Sequence, residues 1–304
     1  MQGIKKRLAV LLAAAALLSF AGCGSKKAAE TTLSIADLPD TVSDEIVDLP
    51  ENQAVYRCTS YQYENGEVTC KRYANFDEHD NIIRSETVGD PENMQMTEVY
   101  CYTYDENGNV TEKTKSYISP PSTDRKAFFY DRFYYYPDGT MNYHVNYMED
   151  NDSGLWRKNY CREYDSRGSE ILYLNYDADG KVLSRSETKC EYGSGGELIK
   201  ETWQGDGLSQ VTEFTYDEAG NVLTKVRTES SDNSDDSTVY TTECSYDSKG
   251  DLIKETQKVS NGDSSSTEYE YDDKGRLISK DIVELKADRH TAYSYRYEYE
   301  DINS

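Results

Sequence analysis

The sequence predicts an all-β protein, a repetitive antiparallel meander of hairpins that forms one long twisted or curled sheet. Three observations lead to this fold class. A short phrase of tyrosine, aspartate and glycine recurs along the chain, ring and polar residues alternate before it, and tyrosine outnumbers phenylalanine by 28 to 6. Tyrosine suits a strand because its ring packs on a pleated face while its hydroxyl stays in water.

The first 22 residues are predicted to be a secretory signal. Lys5, Lys6 and Arg7 precede an uncharged apolar run over 8–20. This run is shorter than the roughly 20 residues of a transmembrane helix and fits the apolar region of a signal peptide. The stretch Phe20-Ala21-Gly22-Cys23 resembles the lipobox of bacterial lipoproteins, in which cleavage occurs before a cysteine that carries diacylglycerol. The resemblance implies a lipid on Cys23 that anchors the protein to the outer face of the bacterial cell membrane. The alternative is an ordinary secretory signal with Cys23 as a chance thiol.

The remaining chain divides into two predicted parts. Residues 23–53 contain no tyrosine and no clear period, which predicts a lipidated tether. Residues 54–304 contain the recurring phrase and form the predicted β domain.

The recurring phrase is typical of a tight hairpin turn, as in Tyr104-Asp105-Glu106-Asn107-Gly108 and Tyr136-Pro137-Asp138-Gly139. An aspartate can accept a hydrogen bond from a backbone amide two residues on, and a glycine supplies the positive φ that a tight hairpin requires. Each unit is therefore predicted to be a strand, a tight turn and a strand. The predicted turn glycines are Gly66, Gly108, Gly139, Gly168, Gly180, Gly196, Gly220, Gly250 and Gly275.

The segments between the turns are polar and uneven in length, for example "VGDPENM" and "SSDNSDDS". They are predicted to join the hairpins at the opposite edge of the sheet. One edge then has uniform turns, and the other has variable loops of the kind on which binding usually evolves.

The units also resemble the tyrosine-aspartate (YD) repeats of the Rhs family, most clearly in "YDENGNVTEKT" (104–114), "YDEAGNVLTKV" (216–226) and "YDDKGRLISKD" (271–281). The resemblance covers roughly 60–304 and implies a partial, curled β-sheet shell. The core motif and toxin that end the large members of that family are not recognisable in this sequence. The toxin-cage function is therefore not implied.

Charge and composition argue against several functions. The net charge is −24, and removal of the signal makes it more negative. Nucleic acid is a poor partner for such a chain because its binding depends on Lys and Arg neutralising phosphates. The histidines His79, His144 and His290 lie in different units without metal-ligand spacing, so neither a metal nor a cofactor is expected. Among the cysteines, only Cys58 and Cys70 flank one turn, and the sequence leaves open whether they form a disulfide.

An aromatic stretch, "FFYDRFYYYPDGTMNYHVNY" (128–147), stands out within the β domain. Its centre resembles the aromatic hairpins of choline- and glucan-binding wall repeats, although their tryptophans are missing. Two interpretations remain open. The rings either cover both faces of a buried part of the sheet, or Tyr134, Tyr136 and Tyr143 form an exposed surface on which a sugar stacks.

Together these features predict a non-catalytic cell-surface lipoprotein that acts as a binding or scaffold module for a glycan or a protein partner. One alternative is a glycan-active hydrolase with two facing carboxylates. Another is an immunity-like or inhibitor-like surface protein for a polymorphic toxin.

Overall fold

The computed structural model describes residues 33–43, 47, 49–64, 66–88, 97–118, 126–150, 153–232, 234–287 and 289–302. The predicted signal peptide and Cys23 lie outside these residues. No helix in the described ranges is both long and apolar enough to cross a membrane.

Within the described ranges, the chain forms a short 3₁₀ helix over Ile35–Asp37 and a succession of β-strands. The strands are β1 Thr41–Val42, β2 Tyr56–Glu64, β3 Glu67–Phe76, β4 Ile82–Val88, β5 Thr97–Tyr104, β6 Val110–Ile118, β7 Lys126–Tyr135, β8 Met141–Glu149, β9 Trp156–Tyr164, β10 Glu170–Tyr176, β11 Val182–Tyr192, β12 Leu198–Gly205, β13 Leu208–Tyr216, β14 Val222–Ser231, β15 Ser234–Tyr246, β16 Leu252–Val259, β17 Ser264–Tyr271, β18 Leu277–Lys286 and β19 Arg289–Asp301.

Strands β2 to β19 form a closed antiparallel barrel of 18 strands. Each strand pairs with its neighbours in sequence, and β19 pairs with β2 over nine residue pairs from Tyr293↔Glu64 to Asp301↔Tyr56. The all-β class and the antiparallel meander are thus as predicted. The expectation of an open twisted sheet, or of a partial Rhs-like shell, is wrong because the first and last strands pair with each other.

The two ends of the barrel differ in their connections. One end, called the turn rim, carries five-residue turns with one pattern: the amide of the first residue donates to the carbonyl of the fifth, and the amide of the fourth donates to the carbonyl of the first. These turns are 77–81, 105–109, 136–140, 165–169, 193–197, 217–221, 247–251 and 272–276. The other end, called the loop rim, carries connections of uneven length, as the sequence predicted for the opposite edge.

All nine predicted turn glycines have positive φ, between +76° and +93°. Two of these glycines do not lie at the turn rim. Gly66 joins β2 to β3 and Gly180 joins β10 to β11, which places both at the loop rim. At the turn rim, Asp80 takes the glycine position of the first turn with φ of 64°.

A β-bulge follows every turn of the turn rim. In the hairpin of β13 and β14, for example, Tyr216 pairs with Val222 whereas Thr215 pairs with Thr224, so one residue of β14 is extra. The same register shift occurs in the other hairpins of this rim. A bulge bends its strand and increases the local twist. Its repetition around the sheet gives a physical reason for closure.

The turn tyrosines link neighbouring hairpins at the turn rim. Five tyrosine hydroxyls at this rim donate to the backbone carbonyl of the first residue of the neighbouring strand, at 2.6–3.0 Å. These bonds are Tyr135 to Val110, Tyr216 to Leu198, Tyr246 to Val222, Tyr271 to Leu252 and Tyr299 to Leu277. Tyr104 and Tyr192 instead donate to the aspartates of the preceding turns.

In the turn at Gly139, the tyrosine that takes this role is Tyr135, not Tyr136 as the sequence phrase indicated. The amide of Tyr136 donates to the carbonyl of Thr140, so Tyr136 takes the aspartate position of the turn. Its hydroxyl donates to the carbonyl of Tyr164, in the next hairpin.

Residues that oppose each other in the register lie on the same face of the sheet. The face that carries the turn tyrosines of the turn rim is called the tyrosine face. Between its rings it carries small or cationic residues, such as the fully buried Thr212, which opposes Arg227. The opposite face of β11–β17 carries exposed charged residues, such as Glu213 and Glu268.

The described residues of 33–55, called the N-terminal segment, pack on the opposite face of β5–β9. Leu38, Val42 and Val47 are buried in one cluster with Tyr147 and Trp156. Strand β1 pairs with the first residues of β9, Thr41 opposing Arg157. The described part of the predicted tether is therefore packed on the barrel.

None of the six cysteines within the described ranges forms a disulfide, and Cys58 and Cys70 are among these six. Cys58 opposes Ala74 on β3, whereas Cys70 opposes Gln62 on β2. The two cysteines are thus offset along the hairpin by four residues, roughly 13 Å, which is too far for a disulfide.

Candidate functional site

The most distinctive polar cluster lies on the tyrosine face of β7, β8 and β9. His144 opposes Phe133 in the register, and the two rings are stacked with centroids 4.7 Å apart and an interplanar angle of 17°. Tyr160 meets the other side of the imidazole edge-on, with centroids 5.3 Å apart. These residues, with Asp131 and Asn146, are called the His144 site. Its imidazole is held between two aromatic rings.

Asp131 fixes the orientation of His144. Its Oδ1 lies 2.9 Å from His144 Nε2 and accepts a hydrogen bond of 2.8 Å from Asn146 Nδ2. Asn146 Oδ1 in turn accepts a hydrogen bond from Asn159 Nδ2. Asp131 is 6% exposed. Burial raises the pKa of its carboxyl, but the hydrogen bonds from His144 and Asn146, with the nearby charge of Lys113, together hold the pKa below its usual value. The site therefore contains a buried carboxylate that positions a histidine.

Arg162 extends the site towards β10. Its guanidinium lies 5.3 Å from the ring centroid of Tyr160 and 5.5 Å from that of Tyr173, and its Nη1 forms an ion pair of 3.1 Å with Glu170. The side chain is 40% exposed. The site thus places a partly exposed cation beside two tyrosine rings.

Two buried donors near the site lack an acceptor among the described residues, Arg162 Nε and Asn142 Nδ2. Asn142 is 2% exposed and lies two residues before His144 on β8. A buried donor without an acceptor costs about 1–3 kcal/mol. Both donors favour oxygen atoms as partners.

Chemically, the arrangement offers flat apolar ring surfaces beside hydrogen-bonding groups that point in fixed directions. Aromatic faces accept the apolar side of a ring ligand, while Asn, His and Arg groups hydrogen-bond its oxygens. Within the described part of the chain, no group of three or more His, Cys, Asp or Glu residues is arranged to hold a metal ion.

The three rings predicted as a sugar-stacking surface differ in their exposure. Tyr143 is 4% exposed and is covered by the N-terminal segment, with Leu33 and Leu38 packed in the same cluster. Tyr134 packs at the edge of that cluster, and the hydroxyl of Tyr136 is bonded to the next hairpin. A sugar cannot stack on a buried Tyr143. The interpretation of this stretch as packed sheet describes these three rings better.

Sequence reasoning missed the His144 site, although it lies in the same aromatic stretch. In the sequence, the three histidines lack metal-ligand spacing, which gives no reason to single out His144. The available signal was the hairpin itself. When Tyr135 is taken as the turn tyrosine, Phe133 and His144 become opposing residues on one face.

Comparison with known proteins adds little to this picture. No family model matches the chain, and no curated protein matches it. Among solved structures, the chain is similar to a porin-like protein from Bacteroides uniformis, with a TM-score of 0.42 and 10% sequence identity. The superposition covers 83% of this chain and 98% of that one.

Proposed function

We propose that this chain is a non-catalytic binding module, held on the outer face of a bacterial membrane by a lipid on Cys23, and that it binds a glycan at the His144 site. The observation that carries the proposal is the imidazole of His144, positioned by the buried Asp131 and placed between Phe133 and Tyr160. Fixed polar groups beside aromatic rings suit the alternating apolar and hydroxylated surfaces of a sugar ring.

The charge pattern of the barrel supports anchoring by a lipid. On the opposite face, Lys254 Nζ on β16 pairs with Glu268 Oε1 on β17 at 2.8 Å. On the tyrosine face, Lys225 opposes Phe214 and Lys280 opposes Tyr269. A lipid-facing barrel needs an apolar band about 25 Å tall, in which each Lys or Arg costs about 2–4 kcal/mol at the bilayer midplane. A barrel with charges on both faces is better suited to water, which favours a separate anchor.

The test is glycan binding by the full chain and by two histidine variants. Soluble cell-wall fragments and neutral and acidic polysaccharides would be titrated calorimetrically into the parent. We expect at least one to bind, and His144→Ala to weaken its binding by about tenfold or more, equivalent to about 1.4 kcal/mol. His79→Ala is the matched control, because His79 also stacks on a tyrosine, Tyr104, but lies at the turn rim.

Two outcomes would contradict the proposal. One is a parent that binds none of the glycans; the other is an equal loss of affinity in both variants. Melting curves of the variants show whether a loss of binding comes from unfolding. Release of shorter sugars by the parent would replace the non-catalytic function with hydrolysis.

A further inference from the structure

The path of the N-terminal segment across the barrel has a definite direction. The hydroxyl of Tyr143 donates to the carbonyl of Leu33 at 3.4 Å, and Tyr143 lies two residues into β8 from the turn rim. The hydroxyl of Tyr147 donates to the carbonyl of Pro39 at 2.9 Å. Val42 then opposes Trp156, the first residue of β9 at the loop rim. The segment therefore enters near the turn rim and runs towards the loop rim.

The segment then returns to the rim from which it came. Leu49 is buried against Val99 and Cys101 on β5. Asn52 bonds the backbone of Tyr102 twice, accepting from its amide at 2.8 Å and donating to its carbonyl at 3.1 Å. Val55 N donates to the carbonyl of Phe76, the last residue of β3 at the turn rim. Both ends of the segment thus lie on the turn-rim side.

The outward run is fixed firmly to the barrel. Leu38 and Val42 are 3% and 6% exposed, and burial of each such side chain contributes about 1.5–3 kcal/mol. Lys158 is buried beneath the run, where its Nζ donates to Asp40 Oδ1 at 2.8 Å and to the carbonyl of Leu38 at 3.3 Å. Because Leu33 lies near the turn rim, an anchor attached before it in the chain pulls on the turn-rim side.

We infer that the N-terminal segment orients the barrel on the membrane, with the turn rim towards the lipid and the loop rim away from it. The inference rests on the proposed lipid at Cys23. The ten residue steps from Cys23 to Leu33 span at most about 35 Å. A nine-residue strand between the two rims is about 30 Å long, measured along the tilted strand. An inverted barrel would have to stretch the tether along much of the length of a strand, whereas an upright one would not. The upright orientation is therefore favoured, and it turns the variable loops towards partners outside the cell.

Energy transfer to a membrane dye tests this orientation in the lipidated full chain. A fluorescent amino acid would be placed at Ala219 in the turn rim or at Asp232 in the loop rim, two exposed positions joined by β14. The acceptor is a dye-labelled lipid in vesicles of neutral phospholipid. We expect clearly stronger transfer from position 219 than from position 232.

Two variants test whether the segment is responsible. A 30-residue Gly/Ser insertion before Leu33 doubles the mean reach of the tether or more, so the difference between the two positions should shrink. Leu38→Asp with Val42→Asp should shrink it too, because the detached segment lengthens the tether. The insertion leaves the packed segment intact, so it keeps the test valid if the double variant does not fold.

The possible failures are distinguishable. Equal transfer from the two positions, or stronger transfer from position 232, overturns the orientation while leaving the anchoring intact. Absence of transfer from both positions in the parent contradicts the lipid anchor itself and the orientation with it. Cys23→Ser supplies the baseline, since a chain that lacks the lipid should show no transfer at either position.

Discussion

At the scale of single residues, the turn tyrosines explain why the chain uses tyrosine where phenylalanine would pack equally well. Their rings lie on the tyrosine face, and their hydroxyls reach the first carbonyl of the neighbouring strand. Each bulge removes regular ladder pairing beside a turn. The hydrogen bond of the hydroxyl connects two hairpins where this pairing is missing. Its loss should therefore lower the stability of the protein.

Tyr216→Phe tests this link. The variant keeps the ring but leaves the carbonyl of Leu198 without the hydroxyl donor found at 2.6 Å. We expect a loss of about 1 kcal/mol, which corresponds to about 2–4 °C in melting temperature for a chain of this size. The control is Tyr293→Phe, whose hydroxyl bonds no described residue. Equal melting temperatures for the two variants would show that the hydroxyl bonds do not stabilise the rim.

Gly220 tests the turns separately from packing. It has φ of +87°, and an added Cβ would meet no other atom within 4 Å. Gly220→Val should therefore lose about 1–2 kcal/mol from backbone strain alone. Gly220→Asn should lose much less, because asparagine tolerates this conformation and Asp80 already adopts it in another turn. Thermal denaturation measures both variants, and a similar loss in both would contradict strain as the cause.

At the scale of the hairpin, the turn aspartates hold the strands together and make the rim sensitive to acid. Asp217 Oδ1 accepts from the amides of Ala219 and Asn221 at 2.9 and 2.8 Å. The side-chain and backbone hydrogen bonds from Asn221 lower the pKa of Asp217. The pKa values of Asp105, Asp247 and Asp272 are lowered as well. A group with a lower pKa in the folded state binds fewer protons there, so its stabilisation is present above its unfolded pKa and lost as the pH falls through its folded value.

The expected result is a melting temperature that falls steeply with acid below about pH 4, the unfolded pKa of aspartate. The triple variant Asp105→Asn, Asp217→Asn and Asp272→Asn should show a shallower fall between pH 5 and pH 2.5. The matched control, Glu106→Gln, Glu218→Gln and Asp273→Asn, removes the same number of charges from the same turns. If the fall in melting temperature became equally shallow in the control variant, the acid response would be due to overall charge and not to the turn aspartates.

Much of the hairpin scale could be predicted from the sequence, because the signals are local. Aspartate and glycine at fixed spacing define a turn whatever surrounds it. The end of the barrel at which a turn lies depends on how many strands precede it. For this reason the sequence phrase alone places Gly66 and Gly180 at the wrong edge. The His144 site depends on the register across a hairpin, and taking Tyr136 for the turn tyrosine concealed the pairing of His144 with Phe133.

At the scale of the whole molecule, closure of the barrel could not be predicted, because it depends on the sum of the bends and twists of many strands. Each bulge after a turn adds a small bend, and the sheet closes only when those bends bring β19 beside β2. No sequence signal in β2 or β19 identifies the other strand as its partner. The burial of Leu38 and Val42 could not be predicted for a related reason, since they look like isolated apolar residues until β5–β9 provide a surface for them.

Closure gives the most direct test of the fold, because it brings the two ends of the β domain together. Thr59 opposes Glu298, and Ser60 opposes Tyr297. Adjacent pairs alternate between Cα separations of about 5.5 and 4.5 Å, both within the range for a disulfide. We expect at least one of the double cysteine variants at these pairs to form a disulfide on mild oxidation, found by faster migration on non-reducing gels and by peptide mass mapping. A variant with cysteines at Thr59 and Glu243, which lies on β15, should not do so. An open sheet keeps β2 and β19 apart, so the absence of a cross-link in both paired variants would contradict the barrel.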